Sequence, residues 1–139
     1  MKTDRPADQW GHPVTARDDV SVQALDRTLM SYLALARDTG VHLKAALEAD
    51  PDMVMGHCLK GYFFLLMASG PLTERAIKAH SGAQAGLDRA TVRERLHVQA
   101  LGHWIRGDAP AAVRAWEEVL TENPLDVLAL RLAHHGYFY

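Results

Sequence analysis

One cysteine, Cys58, in 139 residues leaves no partner for an internal disulfide and no second ligand for a CxxC zinc module. A secreted disulfide scaffold is excluded, and the usage fits a reducing compartment. No apolar run approaches the ~18 residues that a membrane span requires. Met1 to Pro13 carries Asp4, Pro6 and Asp8 where a signal peptide would be apolar. The chain therefore reads as cytoplasmic, with no membrane partner. Excess charge of one sign is also lacking. Fifteen Lys and Arg against 17 Asp and Glu give a net charge of −2, with no basic run to grip a phosphate backbone. Nucleic acid is not expected as a partner. HExxH, a Gly-rich phosphate loop and GxSxG are all missing, so no catalytic motif is in view. What is present is 48% hydrophobic and 23% charged residues, enough for one ordinary core.

Helical punctuation organises that apolar content. Thr91 followed by Glu94 is a capping box opening a helix that runs to about Arg106. Gly107 can take the left-handed conformation that ends it. Asp108 can cap the next helix, and Pro110 falls in its first turn. Ala112, Val113, Trp116, Val119 and Leu120 share one face of that second helix, and Pro124 closes the unit. Upstream, Asp50-Pro51 opens a helix from about Met53 to Ala68 that is apolar nearly all round, as a helix between neighbours would be. Ser69-Gly70-Pro71 breaks it, and a weaker helix follows over about Leu72 to Leu87. Val22, Leu25, Leu29, Leu33 and Ala36 mark a first helix over about Val20 to Asp38, stopped at Thr39-Gly40, with a short one over Val41 to Ala49. The expected architecture is all-α: an extended segment over 1–19, then a helical domain over 20–139. That domain divides into hairpins at about 20–50, 51–90 and 91–124 and a truncated repeat at 125–139, whose one C-terminal helix is unpaired.

Arg93 to Asp126 spans 34 residues and resembles a tetratricopeptide repeat. Ala100 and Ala112 stand at its small positions, Gly107-Asp108 at the turn, Trp116 at the large aromatic and Pro124 at the end. Gln99 and His103 depart from the pattern. Three strings together are more specific: Asp50-Pro-Asp-Met-Val-Met-Gly-His57, Arg93-Glu-Arg-Leu-His-Val98, and Asn123-Pro-Leu-Asp-Val-Leu-Ala-Leu-Arg-Leu-Ala-His134 with Tyr137-Phe-Tyr139. In this order they resemble the N-terminal part of the tetratricopeptide repeat protein 38 family. The resemblance implies a tetratricopeptide-like α-solenoid, and implies that the chain is a fragment or short form of a longer repeat protein.

In tetratricopeptide arrays the first helix of each hairpin lines the concave face. Carried over, this places Met55, Cys58, Tyr62, Leu65 and Leu66, then Glu94, His97, Leu101, Trp104 and Ile105, then Leu128, Arg131, His135, Phe138 and Tyr139 on that face. The groove residues singled out for a protein or peptide partner are Cys58, Tyr62, His97, Leu101, Trp104, Arg131 and His135, with His97 and Arg131 as polar anchors. The alternative is that the N-terminal segment with Trp10, or further helices, fill this face as core. No cofactor is implied. Eight histidines are present, but no two share the i,i+3 or i,i+4 spacing of a single-helix metal site. The second reading is an enzyme or a small-ligand or metal-binding protein that uses His57, His97, His134 or His135 between helices as ligands or acid–base groups, the first three being the metal candidates. Cys58, among apolar neighbours, reads as a packing residue. Leu128, Leu130, Leu132, Tyr137, Phe138 and Tyr139 leave an apolar end where a solenoid usually carries a polar cap, so self-association is expected.

Overall fold

The computed structural model describes residues 5–67 and 70–138, and for 70–72 and 137–138 the backbone alone. Among the described residues seven α-helices follow one another: α1 (Asp19–Leu33), α2 (Thr39–Ala49), α3 (Val54–Leu66), α4 (Gly70–Gln84), α5 (Val92–Ile105), α6 (Ala109–Glu122) and α7 (Val127–Phe138). A single 3-10 turn, Leu87–Arg89, precedes α5. Among the described residues there is no strand, only one isolated bridge between Ala7 and Pro13. The chain is all-helical. Packing is densest between α1 and α2, α3 and α4, and α5 and α6, while α7 lies on α6.

Local chemistry explains most of the boundaries. Thr91 Oγ1 accepts the Glu94 N–H and Glu94 accepts the Thr91 N–H, completing the capping box of α5. The Asp108 side chain accepts the Ala111 N–H at the start of α6, where Pro110 costs no hydrogen bond. The end of α5 is a Schellman motif: Gly107, at φ +81°, donates to Trp104 O, and Asp108 N donates to His103 O. The end of α1 differs from expectation. Its helix stops at Leu33 instead of near Asp38, because Leu35 takes the same left-handed position at φ +57°. Leu35 N donates to Tyr32 O and Ala36 N to Ser31 O, the same pair of bonds that surrounds Gly107. Gly40 then belongs to the first turn of α2. The fourth helix begins two residues earlier than expected and ends at Gln84, the 3-10 turn taking up the rest.

The main core draws on α1, α2, α3, α5, α6 and α7, and a second, smaller cluster joins α4 to α3 and α5 through Ala83, Val54 and Val98. Trp116, Tyr62, Met53, Leu59, Leu101 and Leu132 are the largest buried side chains. α3 and α5 meet where Gly61 faces Leu101, and a Cβ at position 61 would lie 2.6 Å from Leu101 Cδ2. Leu128 and Leu132 are buried, so this part of the expected apolar end is covered by α6 and the core; Leu130 is exposed. The side chains of Tyr137 and Phe138, and all of Tyr139, lie outside the described residues.

Candidate functional site

Residues 5–18 decide which faces stay open. This segment is folded back on the helices: Val14 is fully buried, and Trp10 and Ala16 pack on the core. Thr15 donates through N and Oγ1 to the Glu94 carboxylate at 2.9 and 2.7 Å, and Arg17 N donates to Asp50 at 2.7 Å. Asp8 accepts the Trp10 and His12 N–H groups and lies 3.8 Å from Arg93. The N-terminal halves of α3 and α5 are thereby covered. Met55, Cys58, Tyr62, Glu94, His97 and Leu101, expected in an open groove, are interior. The N-terminal segment covers the Arg93–Glu94 end of that face, and packing among α3, α5 and α6 buries Tyr62, His97 and Leu101.

Beneath it lies a buried polar cluster. Arg93 and His97, one turn apart on α5, both reach Asp126 Oδ2 at 2.9 Å. Asp126 Oδ1 accepts the Ala129 N–H, so one carboxylate caps α7 and fastens it to α5. The other His97 nitrogen meets Tyr62 Oη at 2.9 Å, and Tyr62 Oη accepts the Trp116 indole N–H at 3.0 Å. Burial alone opposes the charged carboxylate of Asp126. The charge and hydrogen bond of His97, with Arg93 and the Ala129 N–H, outweigh it and hold the group well below the usual carboxylate range. Burial pushes the Tyr62 hydroxyl well above its ordinary value and the Cys58 thiol up to about 12. A thiol held protonated in this way is not a nucleophile at neutral pH. The Asp126–His97–Tyr62 line has the polarity of a proton relay, but Tyr62 and His97 are 0% exposed. No substrate atom can reach them, so the cluster fixes the positions of α3, α5, α6 and α7.

The histidines considered as metal ligands are not assembled. His57 Nε2 lies 2.6 Å from Pro51 O, His97 bonds Tyr62 and Asp126, and His134 lies exposed on α7. Among the described residues no group of three or more His, Cys, Asp or Glu is placed to hold a metal ion. Trp104, Arg131 and His135 are half-buried, Trp104 at the C-terminal end of α5 and the other two one turn apart on α7. The Trp104 and His135 rings lie 5.9 Å apart, and the Arg131 guanidinium lies 5.8 Å from the Tyr32 ring centre.

Tyr32 leads to an open apolar groove that the helix pattern alone does not reveal. A groove of about 700 Å³ lies between α2 and the C-terminal half of α3, closed at one end by the α1–α2 turn. Its shape follows from side-chain size. At the α2–α3 connection Leu47 sits where a Cβ on Gly56 would be 2.7 Å away, so the helices touch. Further along, Phe63, Phe64, Leu66 and Met67 line the groove together with Leu43 of α2. α3, expected to be enclosed by neighbours, is half-buried over Phe63 to Leu66 and exposed at Met67. Leu35, at the groove's end, is 77% exposed in a conformation that costs an L-residue ~1–2 kcal/mol. The sequence signal that could have exposed it is α3 itself, apolar on more faces than its neighbours can cover.

On the other side of α1, Asp26 is half-buried, and its Oδ1 has no hydrogen-bond partner. Burial first, and the Asp8 charge second, raise its pKa to about 6, partly offset by Gln9. A carboxyl group whose folded pKa is raised adds stability below its unfolded value of 3.8 and loses it as pH rises through about 6. Asp26→Asn removes that loss. After discounting for its solvent contact, the variant should be more stable by about 1 kcal/mol at pH 7.5. Thermal melts should show the difference shrinking below pH 6 and absent near pH 4; a destabilised variant at pH 7.5 would refute the assignment.

No protein-family model matches the chain, and no solved structure matches it. No helix is long and apolar enough to cross a membrane among the described residues.

Proposed function

We propose that the chain is a non-catalytic helical-repeat scaffold that binds an apolar segment of a protein partner in the groove between α2 and α3. We read its consecutive helix pairs as tetratricopeptide-like hairpins, three of them with α7 opening a fourth, and assign the chain to the tetratricopeptide repeat protein 38 family and to the cytoplasm. The Arg93–Asp126 ion pair supports the repeat reading, because it joins the first and last residues of the 34-residue unit. The groove carries the functional reading. Its walls are nearly all apolar, its volume suits a ligand larger than one side chain, and Leu35 is held there, exposed, at a cost in backbone energy. Trp104, Arg131 and His135 continue an aromatic surface from Tyr32 and form a secondary contact area for the same partner.

Leu35→Gly tests this without threatening the fold. Glycine suits the left-handed position, so the variant should be more stable by about 0.5–1 kcal/mol. Helical peptides selected from a displayed random library against the native chain should bind it about tenfold more weakly, consistent with the loss of one buried leucine. Failure to select any peptide, or peptides indifferent to Leu35→Gly combined with Met67→Gln, would contradict the proposal.

A further inference from the structure

Resting on that reading of the groove, we infer that its partner segment is an acidic amphipathic helix. The first argument is backbone satisfaction. Both walls are α-helices, whose N–H and C=O groups are bonded internally, and no sheet edge borders the groove. An extended peptide would leave its own amides without partners against such walls, whereas a helix brings its hydrogen bonds with it. The dimensions agree. Thr39, Gly40, Leu43, Lys44, Leu47 and Glu48 line the groove at successive turns of α2, a length of ~14 Å at 1.5 Å per residue. That length takes two to three turns of a docked helix, with leucine-like anchors at i, i+3 or i+4, and i+7.

The second argument is charge. The chain as a whole is acidic, at −2, yet the groove is bordered by cations. Lys44 and Lys60 line it and are exposed. Two of its rings carry a guanidinium each: Arg75 lies 6.0 Å from the Phe64 ring centre, and Arg131 lies 5.8 Å from that of Tyr32. The one carboxylate in the lining is Glu48, 4.0 Å from Lys44 in an exposed pair that offsets little. Two lysines against one glutamate in the lining, with the Arg75 and Arg131 guanidiniums over two of its rings, complement a helix with a leucine stripe flanked by Glu and Asp. The α7 helix of a second copy fits poorly, because beside its exposed Leu130 it carries Arg131 and two histidines but no carboxylate.

The experiment uses the full chain and three labelled 18-residue peptides that share one leucine stripe and differ only in flanking Glu, Gln or Lys. Fluorescence anisotropy should rank them Glu, then Gln, then Lys, with the first and last about tenfold or more apart at low salt and converging at high salt. Lys44→Glu combined with Lys60→Glu, both at exposed positions, should reverse the order. Equal binding of all three peptides, unchanged by that variant, would overturn the charge assignment and leave the groove reading standing. No binding by any of them would overturn both. Vesicles of phosphatidylserine and phosphatidylcholine serve as the contrast: binding to these in place of the Glu peptide would overturn the helix as occupant.

Discussion

Asp126→Ala should destabilise the protein by about 3–5 kcal/mol, the largest effect of any single carboxylate removed. The magnitude follows from what stays behind. Arg93 is 9% exposed and His97 is 0% exposed, and both donate to Asp126 Oδ2, so its loss leaves the buried guanidinium with only Asp8, 3.8 Å away, and the buried imidazole with only Tyr62. The Ala129 N–H at the start of α7 loses its cap as well. Chemical denaturation should report the loss. Acid provides an independent check on the sign. A carboxylate whose folded pKa is lowered contributes stability that is present above its unfolded value of 3.8 and is lost as pH falls below it. The native protein should therefore lose stability steeply below about pH 4, and the variant more gradually. Equal acid sensitivity in the two would show that Asp126 is not held by its cationic partners.

Trp116→Ala is expected to cost a similar amount, about 3–5 kcal/mol, for a different reason. Trp116 is 2% exposed and packs edge-on against Tyr62 and Trp104, at ring-centre distances of 5.9 and 5.7 Å. Its indole N–H also gives Tyr62 Oη a donor. Removal opens a cavity between α3, α5 and α6 and takes away that bond. Trp116→Phe separates the two losses, since it refills most of the volume without the N–H. Its smaller destabilisation, about 1–2 kcal/mol, should fall further when combined with Tyr62→Phe, because the two changes share one hydrogen bond. Strict additivity would place the bond outside the energetics of the core.

The parts of this fold legible in the sequence are those set within one or two turns of chain. The Thr91–Glu94 box, the Asp108 cap and the Gly107 stop each involve residues three or four apart, and each stands where the residues place it. Leu35 was not legible, since a leucine in the left-handed position announces nothing; the end of α1 is set by the Schellman bonds and by what Leu35 borders. Long-range placement was harder still. Cys58, Tyr62, His97 and Leu101, which the tetratricopeptide resemblance implies on a concave face, are buried. Whether such a face is open or filled depended in part on residues 5–18, whose attachment to Glu94 and Asp50 spans 79 and 33 residues of sequence. The open surface was displaced accordingly, from the face centred on His97 to the gap between α2 and α3, where bulky residues on α3 line the groove.

Amide chemical-shift mapping tests the location of the binding surface most directly. The isotope-labelled chain is titrated with the Glu-flanked helical peptide, and perturbed amides are followed residue by residue. The groove predicts the largest shifts over Leu43 to Glu48 and Lys60 to Met67, with Leu35 included and α6 silent. Shifts centred instead on α5 and on Arg131 and His135, with Leu43 and Phe63 unmoved, would contradict it.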